Sequence, residues 1–568
     1  MKASNPDPRG NEVFSFLRTA MIDGPKPSRQ AVFGRWLPIF VGGVILMLFP
    51  GCMETGDGAQ PASSRNGGAA PLELRLPGGD WGLPTPYSFY PRGPGYVHLS
   101  LVYDTLTWKD ETGTIPWLAE RWEASPDGLT WVFHLRSGVR WQDGVPFTSR
   151  DVRFTFEYLR RHPVEWFPVE RIDRVEIPDE ATAVFHLKAP YAPFLGRIAG
   201  NVVIFPEHIW RDVSNPRGAP CRELAVGTGP YRLAGYDKAQ GAYEYEANPH
   251  FFLGPPRITK IRFVPAPDPV AALEAGAVDQ ASIPASLLPR FRDKGRFQVK
   301  AGPSFWVLAL QMNRARFPFS EPAARHALAH AIDLRTLVER AVPGGLEGAK
   351  PASPGFIPPD SPWVDPSWQD LYPFDPARTR NLLQSLGITI PEGSRVAIGP
   401  DGSPMTFTLV TTQAYLREAE MLKGWLGDVG FALEIKSLDM KAVDSAMHEG
   451  RFDLAISGHG GLGGDPSAIM GFGALKEGAW SAQAPASPEF REAAMAMQRA
   501  VDPEERMRLA CRMQQLYAEE LPALPLYYTV SLIAYRPEVF RGWFFTAEGG
   551  IAIGVPMVLN KVAFIRGE

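Results

Sequence analysis

The sequence predicts an α/β fold divided into more than one lobe, and three observations carry that expectation. Residues 405–457 read strand, helix, strand, helix, strand in unbroken succession. Residues 127–147 alternate apolar and polar side chains between Asp-Gly and Ser-Gly pairs, a β-hairpin signature. The chain has 568 residues, 45% hydrophobic and 21% charged, enough apolar material for more than one core and too much for general disorder.

Residues 36–49, WLPIFVGGVILMLF, form an uncharged apolar run behind Arg29 and Arg35. As a helix the run spans about 21 Å, short of the roughly 30 Å bilayer core, so it reads as a secretory hydrophobic region rather than a permanent span. Met21 would be a natural start, because it leaves a lead of ordinary length. The run ends in LFPGC, which resembles a bacterial lipoprotein signal: Gly51 is the small residue before Cys52, the lipid acceptor, although Phe49 and Pro50 depart from the usual pattern. Residues 53–71 are polar and rich in Gly, Ala and Ser, a flexible tether. Cys221 and Cys511 remain as a possible disulfide pair in an exported protein.

Within 127–147, Trp131, Phe133 and Leu135 share one face. Thr148 followed by Asp151 makes a capping box, and Val152, Phe156 and Leu159 give the helix behind it an apolar stripe. Further on, 405–412, 431–438 and 452–457 read as strands; 413–429 and 440–450 read as helices closed by Gly430 and Gly450. Such an alternation favours parallel strands with right-handed crossovers, and ligands then sit beyond the carboxyl ends of the strands. Asp502 and Pro503 open a last long helix, after which the chain is extended.

The third of those parallel strands runs into SGHGGLGGDP, with five glycines between Gly458 and Gly464. A phosphate cradle would need Gly-Lys-Ser/Thr there; Asp465 and Pro466 follow instead. The loop reads either as a tight turn or as a cleft wall where a ligand meets main chain, with His459 a candidate contact. A formal net charge of −4 with no basic stripe excludes a nucleic-acid binder. A hydrolase is disfavoured: the chain carries neither G-x-S-x-G nor H-E-x-x-H. His326 and His330 have chelating i, i+4 spacing, but in HALAH no glutamate follows the first histidine.

Five segments, in order, resemble the extracellular solute-binding proteins of the peptide/nickel class that serve ABC importers. They are TIPWLAERWEASPDGLTWVFHLRSGVRWQDGVPFTSRDVRFTFEYL (114–159), VGTGPYRLAGYDKAQGAYEYEANPHFF (226–252), FWVLALQMNRARFPFSEPAARHALAHAID (305–333), FDPARTRNLLQSLGI (374–388) and LPALPLYY (521–528). The resemblance implies a two-lobed periplasmic-binding-protein fold of type II, with an extra subdomain in the first lobe and a hinge of crossing strands near 303–312 and 522–532. It implies a signal or lipoprotein segment at 1–52, a tether at 53–71, a first lobe at 72–302, a second at 303–527 and a return to the first at 528–568. It also implies capture of an oligopeptide between closing lobes and delivery to an ABC permease and its ATPase subunits. The protein would be an exported, lipid-anchored monomer on the outer face of the membrane or in the periplasm, with no cofactor and no catalysis. An oligosaccharide or metal-chelate cargo, or a sensing role, is the alternative.

Ligand contacts implied are Tyr90, Tyr96, Asn201, Trp306, Ser457, His459 and Asp465, with Tyr87 nearby. Peptide-binding relatives carry an aspartate that pairs with the ligand's α-amino group; aligned on the Asp-Pro pair, that position is Leu462, and Asp465 matches a more structural acid. Either Asp465 takes the role or the ligand has no α-amino group.

Overall fold

The computed structural model describes residues 72–567 apart from 90–92, 165–166, 219–220, 293–294, 305, 460–463, 470–486 and 548–557. The expectations for the apolar leader, Cys52, the tether and Tyr90 lie outside the described residues.

The first lobe is built on two four-stranded sheets. One has the order Leu72–Pro77, Ile258–Val264, Ala242–Ala247, Tyr231–Asp237, parallel at the first pairing and antiparallel after it. The other is antiparallel, in the order Ala119–Ala124, Thr130–Leu135, Thr182–Leu187, Ile172–Asp179. The alternation seen in the sequence is that of Thr130–Leu135, whose Trp131, Phe133 and Leu135 are buried. The expected hairpin is corrected in its pairing: this strand turns back at Asp127-Gly128 onto Ala119–Ala124, whereas 139–147 holds only an isolated bridge between Arg140 and Pro146. The physical reason is the sheet's other side. Thr182–Leu187 occupies the second edge of Thr130–Leu135, so 139–147 has no free edge to pair with. The helix Ser149–Arg161 starts with both hydrogen bonds of the predicted capping box, between Thr148 and Asp151, and buries Val152, Phe156 and Leu159.

The second lobe holds a six-stranded sheet, ordered Ala349–Pro351, Ala523–Thr529, Trp306–Met312, Leu454–His459, Thr406–Thr411, Ala432–Ser437. The last three are mutually parallel, as the strand–helix alternation predicts, with helices Leu416–Asp428 and Met440–His448 as crossovers. Gly430 and Gly450 follow those helices at φ of 89° and 66°, a conformation that costs a side-chain-bearing residue and not glycine. Trp306–Met312 is apolar but for the buried Gln311, because both of its faces are covered. Leu308, Leu310 and Met312 enter one core; Val307 and Ala309 enter the other.

Two main-chain crossings join this sheet to a three-stranded sheet ordered Gln280–Ser282, Leu532–Tyr535, Gln298–Ala301. The chain passes from Gln298–Ala301 into Trp306–Met312, and later from Ala523–Thr529 into Leu532–Tyr535. The crossings are tied to each other where the Gly302 N–H donates to the Ser531 carbonyl at 2.7 Å. They lie within the two segments expected to form the hinge.

The chain's end returns to the first core, where Trp543, Val562 and Phe564 are buried. Lys561, on the helix Lys561–Arg566, is fully buried against fully buried Asp104. Trp117 Nε1 and Thr228 Oγ1 also donate to that carboxylate, at 2.6 and 2.7 Å, and the ammonium lies 4.0 Å from the Trp108 ring centre. Burial lowers the Lys561 pKa, and Asp104 offsets part of that.

Candidate ligand-binding site

One edge of the six-stranded sheet gathers the carboxyl ends Thr529, His459, Thr411 and Ser437 together with Trp306 at the start of its antiparallel strand. Trp306 pairs with Thr529, and the next residue, Val307, pairs with His459. Trp306 is 38% exposed, and its indole lies against Gly458: a Cβ added there would sit 2.6 Å from Nε1. No side chain fits at 458 while the indole keeps this place. Burial raises the phenol pKa of Tyr415, at the mouth of the neighbouring crossover helix, and Trp306 tempers the rise.

Beside Trp306, Lys350 pairs with Asp360 at 2.6 Å, and the Ser304 N–H donates to the same carboxylate at 3.0 Å. Burial pushes the Asp360 pKa up, but Lys350 and Ser304 outweigh it and hold the group below its ordinary value. This network fixes the chain at the first crossing. Thr411 and Thr412 end the adjacent strand with buried hydroxyls that have no hydrogen-bond partner among the described residues. Sequence reasoning missed both; the only available signal is their place at a parallel strand's carboxyl end.

The glycine loop continues into Asp465, which is fully engaged. It pairs with Arg506 at 2.5 Å and accepts from the Ser467 N–H at 3.0 Å. Arg506 also stacks on the Trp363 ring at 5.0 Å. This is a structural role, as the alignment on Asp-Pro suggests, and it leaves no free carboxylate oxygen pair for an ammonium.

The remaining predicted residues are placed differently. Ser457 is buried opposite Ala309. His459 closes its strand, and only its backbone is described. Tyr96 is 2% exposed, with its ring stacked parallel to Trp108 and its hydroxyl donating to the Asn201 carbonyl at 2.9 Å. Tyr96 and Asn201 thus meet each other within the first core. The reason is the helix Gly93–Val102, which is buried from residue 95 to 102, its polar His98 and Ser100 included. Tyr87 donates to the His162 carbonyl at 2.6 Å among Tyr158, Phe205 and Trp210. His326 and His330 each bond a main-chain carbonyl, of Glu519 and Pro373, and no metal-holding cluster occurs among the described residues. Cys221 and Cys511 are both free thiols.

The first lobe reaches the second beside this loop. The Ala192 N–H donates to the Gln498 carbonyl at 2.8 Å, and Arg171 donates to the Gln498 side chain at 3.3 Å. Arg171 stacks on the Tyr191 ring at 4.3 Å. Burial raises the Tyr191 phenol pKa; Arg197 and Arg171 counter the rise, and Asp465 across the seam adds to it. Tyr191 therefore senses charge from both lobes.

A model of bacterial extracellular solute-binding proteins, family 5 middle, matches residues 113–479. A putative ABC transporter peptide-binding protein of Brucella ovis is 29% identical over 367 residues, covering 62% of this chain and 66%, just under two thirds, of that one. The nickel-binding periplasmic protein of Escherichia coli (strain K12) is 25% identical over 393 residues, 65% of this chain and 72% of that one. The solved structure of NikA from Brucella suis in complex with Fe(III)-EDTA superposes with a TM-score of 0.72 at 22% identity, over 85% of this chain and 100% of that one. With a family model covering most of its folded length and a two-lobed fold shared with that structure, the chain belongs to family 5 of the bacterial extracellular solute-binding proteins.

Proposed function

We propose that this protein is the ligand-capturing component of an ABC importer. It closes two lobes, 72–302 and 303–527 with a return at 528–568, on an oligopeptide and presents the closed form to a membrane permease. The observation that supports this most is the pair of main-chain crossings, joined by the bond from Gly302 to Ser531, placed directly beside the strand-end edge that carries Trp306 and Gly458. A few residues at element ends can absorb a hinge rotation, and a ligand drives closure only through contacts it makes better in the closed form. Trp306, Ser457 and His459 would line the second-lobe wall. A leader ending at Cys52 would export the chain and anchor it by lipid outside the cytoplasm, with residues 53–71 as tether and the protein a monomer.

A metal chelate or oligosaccharide is the second reading for the cargo, favoured by the engagement of Asp465 with Arg506. Native mass spectrometry of protein purified without refolding separates these. A ladder of peptide masses supports the first reading; a single metal-bearing or hexose-spaced mass supports the second. A chain that retains no solute, and whose melting temperature no solute raises, is not a binding protein.

A further inference from the structure

We infer that lobe rotation is confined to one residue at each main-chain crossing, Pro303 and Ser531, and that Phe545 and Asp360 are the positioning residues that confine it. The proposal rests on the solute-binding reading and names the device that shapes its closure. On the first-lobe side, Ala301 pairs with Leu532, and Lys300 Nζ donates to the Trp543 carbonyl. Gly302 then lies against Phe545: a Cβ added there would sit 2.6 Å from two carbons of the ring. The ring takes the place of a side chain and holds the main chain at 302 to the returning end of the chain, which packs on the first core. On the second-lobe side, the Ser304 N–H donates to Asp360 at 3.0 Å, and the Ser304 hydroxyl donates to the same oxygen. Lys350, on the strand Ala349–Pro351, holds that carboxylate at 2.6 Å. Pro303 alone lies between the two holds.

The second crossing is held in the same way. The Val530 N–H donates to the Gly348 carbonyl of the second lobe at 2.9 Å, and the Leu532 carbonyl accepts from the Ile283 N–H of the first at 3.0 Å. Ser531 lies between them. Among the described residues it is tied to the other crossing rather than to either lobe, through the Gly302 N–H at 2.7 Å. A hinge turns where a few residues absorb the change in backbone angles. Proline fixes φ at about −65°, so Pro303 turns about ψ alone. Two short pivots coupled by that bond leave little freedom beyond a single axis. Phe545 and Asp360 thereby spare a solute the ordering of a loose linker, and more of its contact energy goes into closure.

The test needs no solute, so its failure is separate from that of the solute-binding reading, which mass spectrometry decides. Nitroxide labels on Ser137→Cys and Arg395→Cys, exposed positions in the first and second lobes, report the interlobe distance in the dialysed full exported chain by double electron–electron resonance, with Cys221 and Cys511 replaced by serine. Asp360→Ala releases the first crossing as far as Trp306, which pairs with Thr529. A free span of one residue becomes one of three, and the spread of a flexible span grows as the square root of its length, so the distance distribution should widen about 1.7-fold. Phe545→Ala frees Gly302 and should widen it about 1.4-fold. Asp360→Asn and Phe545→Leu, which keep an acceptor or apolar bulk, should widen it less, and they carry the test if an alanine variant fails to fold. Arg316→Ala removes an ion pair with Asp453 beyond the other end of Trp306–Met312 and should leave the width as it is in the parent. A width that the Asp360 and Phe545 variants leave unchanged, or that Arg316→Ala increases as much, overturns the proposal.

Discussion

Replacing Gly458 with alanine should weaken ligand binding through Trp306 alone. The new Cβ would lie 2.6, 2.9 and 3.0 Å from Nε1 and two ring carbons of the indole. Ordinary contact begins near ~3.4 Å, so the ring must retreat by roughly half to one ångström. Gly458 sits within a strand and its φ is not positive, so the alanine backbone itself is unstrained there. Because Trp306 is 38% exposed, it can swing outward, and the stability loss should stay near the low end of overpacking costs, about 1 kcal/mol. Affinity should fall about tenfold, which is ~1.4 kcal/mol, if the indole is a ligand platform. The assay is a double-mutant cycle: Gly458→Ala, Trp306→Ala and both together, each followed by urea denaturation and by calorimetry with the solute recovered from the native protein. In the Trp306→Ala background the alanine at 458 should cost nothing. Equal losses in both backgrounds would refute the coupling.

Lys561→Met should destabilise the first lobe by ~3–5 kcal/mol, because it leaves Asp104 buried with its charge unpaired; adding Asp104→Asn should recover more than half, read as the urea midpoint. Glu418 is buried and accepts from the Tyr527 hydroxyl at 2.7 Å, and burial raises its pKa. The folded protein therefore holds that proton more tightly than the unfolded chain. Its contribution is full below the carboxyl's ordinary value of 4.5 and is lost as pH rises through the higher folded value. Glu418→Gln should accordingly raise the melting temperature at pH 7 to 8 and lose that advantage at about pH 4. Asp465→Asn should cost ~1.5–3 kcal/mol of stability by weakening the bond to Arg506, and should leave affinity for a solute without an amino group unchanged.

The second-lobe architecture was legible because its signals are local. Helix stops at Gly430 and Gly450, the cap at Asp502 and the strand–helix period are each written within a few residues. Pairing partners are not local. The Trp131–Phe133–Leu135 face announces a strand, but nothing in 127–147 tells that its second edge is taken by Thr182–Leu187, some fifty residues on. The same limit governs the candidate site. Trp306, Gly458 and Tyr415 come from three distant segments, and the sequence offered the first as a crossing-strand residue, the second as part of a glycine run and the third only as a helix residue. Tyr96 shows the converse: an aromatic expected at the cleft is drawn inward because its helix is buried from residue 95 to 102.

The glycine run and the engagement of Asp465 bear on the same question from opposite sides. Gly458 is bare because an indole occupies the space a side chain would need, so glycine there serves Trp306 as well as any ligand. Asp465 cannot serve as a substitute for the acid missing at 462, because Arg506 and Ser467 already hold both of its oxygens. Across the seam, Arg171 leans on Tyr191 and Gln498. A site that recognised an ammonium through Asp465 would leave that carboxylate open. Here the Asp465 carboxylate is occupied, and that engagement is stronger evidence about the cargo than the missing aspartate taken alone.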